Sequence, residues 1–307
     1  MPPTRRLLPR ALWAGAFLLV LGGTWVASWR IPAGAATGEH LATGETARAP
    51  HDQPQAPDRT TWRVATWNIH SGKGRDGRLD LQRIARQLAE CDFVGLNEVR
   101  GTTGWTGPNQ AEILGRTLNA GWLFHAYERR WGRDDFGNGV VSRSPVTAWE
   151  RQPLPCTSVK GHGNIIRHTV TWNAQSIQIL VTHIDRQADR RVQLRQACEQ
   201  FLSLPAPAIL MGDLNTTASD AELASLLATP GVVDVMARSA PPPSADRIDW
   251  ILARGLECVA AGLIDHGESD HPLLWADLRL PDSQPHSPTP GPNDPTTLSE
   301  AATDDLR

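Results

Sequence analysis

"AILMGDLNTT", residues 208–217, is apolar for four residues and then turns polar at Asp213 and Asn215. A short apolar run closed by Gly and polar residues reads as a buried strand. This one delivers an acid and an amide where the chain leaves the core. The habit recurs: "RVATWNIH" (63–70) ends in Asn68, "DFVGLNEV" (92–99) in Glu98, and "IQILVTHID" (177–185) in His183 and Asp185. Two later runs reverse it, "DRIDWILA" (246–253) beginning near Asp249 and "SDHPLLWADL" (269–278) beginning with Ser269, Asp270 and His271. If all six clusters share one rim, the last two strands run antiparallel to the first four, and the sheets are mixed.

Between these runs lie helical patterns. Leu81, Ile84 and Leu88 precede "DFVGLNEV"; Val192, Cys198, Phe201 and Leu202 precede "AILMGDLN". Ser219 and Glu222 have the spacing of a capping box ahead of Leu223, Leu226 and Leu227. Strands and helices are mixed within one domain over 61–280.

The ends differ from the middle. Arg5, Arg6 and Arg10 precede a run, residues 11–29, without a charge, which reads as a signal peptide or signal anchor over 1–30. "AGA" at 33–35 offers a cleavage site. The expected location is extracytoplasmic, membrane-anchored through 11–29 or secreted after cleavage. Residues 31–60, rich in Ala, Gly, Thr and Pro, read as a flexible linker, and 281–307, with six prolines, as a disordered tail.

The chain has 307 residues and a net charge of −3; setting aside the four arginines up to residue 30 leaves 26 Lys and Arg against 33 Asp and Glu, a net of −7. Such a balance disfavours a tight duplex binder, which usually carries a basic stripe. The four cysteines show no CxxC spacing, against a cysteine zinc site. Arg129, Arg130 and Arg133 around Trp131 make a basic, aromatic loop suited to a phosphate or a base, or simply a solvated one. No obligate protein partner is evident.

Acid, amide and imidazole gathered at the mouth of a rigid sheet suit a hard divalent cation and a phosphate. Each residue alone has a plainer reading. Asp213 could be an Asx turn and Asn215 the first residue of a glycosylation acceptor, while a lone His183 is more often structural. The pair Asp270–His271 is harder to explain by a simple loop. His125, His162, His168 and His266 have no such setting and read as surface or structural.

The ordered set "TWNIH", "GLNEV", "GNGVVSRSPV", "VTHID", "GDLN", "RIDWIL" and "SDHPLL" resembles the endonuclease/exonuclease/phosphatase superfamily over about residues 62–280. The resemblance implies an α+β fold, a four-layer αββα sandwich of two mixed β-sheets flanked by helices, and hydrolysis of a phosphoester assisted by Mg²⁺, with Mn²⁺ as an alternative. It implies that Asn68, Glu98 and Asp270 bind the metal, with Glu98 the principal ligand. Asp213 and Asn215 would orient or deprotonate water and hold the phosphate, and His183 would touch a phosphate oxygen. Asp249 would set the tautomer of His271, and Arg167 would lie near the phosphate. The chain departs from the nuclease branches at Tyr127, its only tyrosine. The carboxylate behind the first histidine also has no clear counterpart, with Glu128, Asp134 and Asp135 as candidates. The substrate expected is a phosphodiester, in nucleic acid or a phospholipid head group; a phosphomonoesterase or a non-catalytic binding module of the same fold are the alternatives.

Overall fold

The structure, a computed structural model, describes residues 8–27, 30–42, 60–101, 107–130, 135–157 and 162–281. The helices are α1 (Leu8–Ala27), α2 (Leu81–Leu88), α3 (Gln110–Leu118), α4 (Arg190–Ser203) and α5 (Ala221–Leu227). The strands are β1 (Arg30–Pro32), β2 (Ala36–Gly38), β3 (Trp62–Asn68), β4 (Phe93–Arg100), β5 (Gly121–Arg130), β6 (Phe136–Ser142) and β7 (Val146–Pro153). They continue as β8 (Asn164–Trp172), β9 (Gln175–His183), β10 (Ala208–Asp213), β11 (Val232–Asp234), β12 (Asp249–Arg254), β13 (Glu257–Ile264) and β14 (Leu273–Arg279).

Two seven-stranded sheets form, in the orders β1-β5-β6-β4-β3-β14-β13 and β11-β12-β10-β9-β8-β7-β2. Both are mixed, as expected: β3 runs parallel to β4 with α2 between them, and β9 parallel to β10 with α4 between them. The two late strands are reversed, β14 against β3 and β12 against β10.

Three apolar clusters define the layers. Val64, Phe93 and Val140 of the first sheet meet Ile179, Val181, Met211 and Ile251 of the second. On the outer face of the first sheet, Ile84 and Leu88 of α2 and Leu114 of α3 pack on Trp67, Val94 and Leu96. On the outer face of the second, Leu194 and Phe201 of α4 and Leu223 of α5 pack on Ile165, Leu180 and Leu210. Helices, sheet, sheet and helices stack in four layers. Gly95 sets how closely the sheets approach, since a Cβ there would lie 3.0 Å from both Met211 Sδ and Val181 Cγ2.

Two expectations change. Residues 30–42, read as the start of a linker, add β1 to the edge of the first sheet and β2 to the edge of the second, with Ala33 buried. Backbone pairing at a sheet edge needs no large apolar side chain, so composition did not reveal it. The cap of α5 is Asp220, which accepts from the N–H of Glu222, while Ser219 bonds Thr217. Within the apolar run, α1 exposes Trp13, Phe17, Leu18, Leu19 and Val20, and among the described residues no helix is long and apolar enough to cross a membrane. Residues 1–7, 43–59, 282–307 and the 131–134 segment with Trp131, Arg133 and Asp134 lie outside the described residues.

Candidate active site

Strand register builds the site. Asp213, the last residue of β10, pairs with His183, the last of β9, and with Asp249, the first of β12. Three neighbouring strands thus present acid, imidazole and acid in one row. On the facing sheet β3 ends in Asn68 beside Asn97 of β4.

Glu98 reaches the same mouth through a β-bulge. In the pairing of β4 with β6 the register shifts between Leu96 and Val99, and Glu98 sits at φ 57°, the left-handed region. A bulge re-aims a side chain that the pleat would otherwise assign to one face, at a cost in backbone strain of order 1–3 kcal/mol. Asn215 is also left-handed (φ 48°), with its N–H donated to Asp213 Oδ1 at 2.9 Å, a turn that Asn tolerates.

The loop carrying His271 is tied to β3. Ser269 Oγ donates to the Asn68 carbonyl at 2.7 Å, His271 N–H donates to Ser269 Oγ at 3.3 Å, and Trp67 Nε1–H donates to the His271 carbonyl at 2.9 Å. His271 is thereby held over the end of the second sheet.

These groups converge on Asp213 Oδ2. Asn68 Nδ2 donates to it at 3.1 Å and to Glu98 Oε1 at 3.2 Å. His183 Nε2 lies 3.4 Å from it and His271 Nε2 3.8 Å. Asn215 Nδ2 lies 3.2 Å from His183 Nε2 and donates to the Ile184 carbonyl at 2.9 Å. Tyr127 packs edge-on against His183, ring centroids 6.2 Å apart.

His271 Nδ1 and Asp249 Oδ2 are 2.8 Å apart. Burial by itself would lower the His271 imidazole, but its bond to Asp249 and the charges of Asp249, Asp213 and Asp270 outweigh burial and raise it to about 9. Burial pushes the Asp249 carboxyl up to about 6, against the pull of its bond to His271. Between those values the pair holds one proton, on the imidazole.

The donor set fits a divalent cation. Asp213, Asp249 and His271 offer ligand atoms within 4.8 Å of one another, and among the described residues buried Asp249 Oδ1 has no hydrogen-bond partner. His271 Nδ1 is already engaged by Asp249, however, whereas Glu98, only partly buried, accepts from Asn68 through one oxygen. Carboxylate oxygens dominate, a set suited to Mg²⁺ or Mn²⁺ rather than zinc. Asn68, expected as a ligand, takes the His70 N–H on its Oδ1 at 3.1 Å and turns its nitrogen to the carboxylates. It therefore spaces Glu98 from Asp213.

Two expected residues stand apart. Asp270 is at the lip, more than half exposed and 3.6 Å from His70 Nδ1. Arg167 lies in the middle of β8 and pairs with Glu150 at 2.7 Å. Asn164 and His168 of the same strand point between the sheets, so by alternation Arg167 faces outward, away from the mouth.

Sequence reasoning missed a set of buried amides beneath the mouth. Asn97 Nδ2 donates to Asn138 Oδ1 at 2.8 Å, and Asn138 Nδ2 donates to Asn164 Oδ1 at 2.9 Å. The available signal was an amide inside each of the apolar stretches "GLNEV", "GNGVV" and "GNII", because a buried amide requires partners.

A model of the Endonuclease/Exonuclease/phosphatase family matches residues 65–271. No curated protein sequence matches the chain. Among solved structures, the endonuclease/exonuclease/phosphatase from Beutenbergia cavernae DSM 12333 is similar at 24% identity and TM-score 0.59, over 72% of each chain. D. rerio TDP2 complexed with single strand DNA product is similar at 20% identity and TM-score 0.53, over 72% of this chain and 100% of that one. The human Nocturnin catalytic domain with bound sulfate anion is similar at 16% identity and TM-score 0.53, over 73% and 96%. These likenesses show the shared fold. The matched family model covers strands of both sheets and every residue converging on Asp213, and the chain belongs to the endonuclease/exonuclease/phosphatase family, whose members are hydrolases acting on phosphoester bonds.

Proposed function

We propose that this chain is a divalent-cation-dependent phosphodiesterase. The observation that carries the reading is the convergence of Asn68, His183 and His271 on Asp213 Oδ2, with Glu98 alongside. The cation, held by Glu98 and neighbouring carboxylate oxygens, would neutralise charge on the phosphoryl group. Asp213 Oδ2 takes a proton from the attacking water as the new P–O bond forms and the ester P–O bond breaks. Asn215 Nδ2 and His183 stand beside it as donors to the non-bridging oxygens. His271, whose Nδ1–H donates to Asp249, directs Nε2–H at the same phosphoryl group and stabilises its growing charge. With Arg167 on the outer face, the described donors of the mouth are imidazoles and amides, which supports a singly charged diester over a monoester dianion.

The test is hydrolysis of bis-p-nitrophenyl phosphate against p-nitrophenyl phosphate, with Mg²⁺ or Mn²⁺ and after chelation. The diester should turn over faster, and chelation should abolish turnover. Metal-independent hydrolysis, or preference for the monoester, overturns the reading.

One observation favours a phospholipid head group over nucleic acid as the diester. Pro32 of β1 pairs with Glu128, Glu128 with Phe136, and Phe136 with Arg100, two residues beyond Glu98. The first described strand after α1 therefore enters the fold at the catalytic rim, and an exported chain tethered by its apolar N-terminal run would hold its mouth toward a bilayer. The single-strand DNA product complexed with D. rerio TDP2 favours nucleic acid instead. Parallel assays on DNA, RNA and phospholipid vesicles separate the two, and intact mass of the exported form tests whether residues 1–35 remain.

A further inference from the structure

Asn97 is adjacent to Glu98 in the chain yet serves the opposite sheet. The bulge in β4 turns Glu98 to the mouth and leaves the Asn97 side chain between the sheets, where it is fully buried. Gly95, two residues earlier on the same face, allows the second sheet close enough for Asn97 to reach it. Both ends of the amide are engaged. Asn97 Oδ1 accepts the backbone N–H of Asp213 at 2.9 Å, and Nδ2 donates to Asn138 Oδ1 at 2.8 Å and to the Thr182 carbonyl at 3.0 Å.

The strand it grips is shaped to meet it. Gly212, just before Asp213, has φ 140°, and a Cβ there would come within 1.9 Å of the Thr182 carbonyl oxygen and 3.3 Å of Asn97 Oδ1. Only glycine fits this backbone, which brings the Asp213 N–H to Asn97. Behind Asn97 the amide chain continues across both sheets. Asn138 Nδ2 donates to Asn164 Oδ1 at 2.9 Å, Asn164 Nδ2 to the Ala126 carbonyl at 3.2 Å, and Thr182 Oγ1 to the Asn164 carbonyl at 3.0 Å.

We propose that Asn97 is a positioning residue: its amide, backed by Asn138 and Asn164, fixes Asp213 relative to the strand that carries Glu98. The inference rests on the reading of Asp213 as proton acceptor. Its physical basis is directionality. Apolar packing between the sheets is indifferent to small lateral slips, whereas three short hydrogen bonds from one buried amide are not. A displacement of about 1 Å at the reacting groups costs on the order of 10²-fold in rate.

The experiment is a double-mutant cycle on bis-p-nitrophenyl phosphate with Mg²⁺. Asn97→Leu leaves the Asp213 N–H, Asn138 Oδ1 and the Thr182 carbonyl without their partner. Its kcat, measured well below its melting temperature, should fall by about 10- to 100-fold with KM within about threefold. In an Asp213→Ala background the same substitution should change the residual rate less than about twofold, because the group it positions is gone. Asn138→Leu, which keeps the bond to Asp213, should show a smaller loss with the same dependence on Asp213, and it replaces Asn97→Leu if that variant does not fold. A folded Asn97→Leu enzyme with kcat within twofold of wild type overturns the proposal, as does an equal loss in both backgrounds. Undiminished activity of Asp213→Ala alone would instead overturn the assignment of Asp213.

Discussion

The molecule holds one histidine at the mouth and two between the sheets in opposite electrostatic states. At the mouth, His271 has Asp249 at 2.8 Å and Asp213 at 3.8 Å, and those carboxylates raise it to about 9 despite burial. Between the sheets, His125 and His168 lie with ring centroids 5.9 Å apart among Phe93 and Trp149, and among the described residues no carboxylate pairs with either. Burial pushes His168 down to about 3, and burial followed by repulsion from His168 and Arg151 pushes His125 well below 6.5. Burial acts on all three; what separates His271 is the negative charge that the fold brings to it and withholds from the interior pair.

His271 and the interior pair bias stability in opposite directions with pH. The interior histidines are neutral when folded and bind protons below 6.5 when unfolded, so their contribution is complete above 6.5 and is lost as pH falls toward 3. His271 is the reverse: its contribution is complete below 6.5 and is lost as pH rises through about 9.

The comparison breaks most sharply at the acids of the mouth. Asp213→Ala should cost about 10²-fold or more in kcat, read by steady-state hydrolysis of the diester, because it removes the oxygen on which the donors converge. Asp249→Asn should cost about tenfold and bring the His271 titration down toward its ordinary value, seen by NMR, since an amide cannot hold the imidazolium as a carboxylate does. Inside the sandwich, the unfolding free energy from urea titrations should fall below pH 6.5 with a slope of up to about 1.4 kcal/mol per pH unit per histidine. His168→Phe, packing with Phe93, should reduce that slope, and a slope left unchanged by the substitution would mean that His168 is not its source. The smallest effect belongs to Arg167→Ala, whose kcat and KM should stay within about twofold of wild type, because its partner is Glu150 on the outer face.

Much of this was legible in the residues. Each strand that ends in the site announced itself as an apolar run with an abrupt polar terminus, and the reversed order in "DRIDWILA" and "SDHPLLWADL" foretold antiparallel neighbours. Arg167 was misplaced for a reason of parity. The resemblance put it near the phosphate, but it lies three residues from Asn164 on a strand of period two and so takes the opposite face. Asn97 was passed over because Glu98 beside it explained the polar end of the run; alternation already turns the two apart, and the bulge then brings Glu98 to the mouth. The edge strands at 30–42 carried no apolar signature at all.

By itself the sequence determined the alternation of strands and helices, the mixed direction of the sheets and the polar groups available at their ends, because periodicity and strand termini are local properties of the chain. The tertiary structure alone decided which of those groups share an oxygen of Asp213, which histidine meets a carboxylate, and that three asparagines on separate strands join in one chain of amides. Those outcomes depend on register and on the approach of two sheets at Gly95 and Gly212, distances that no local pattern encodes.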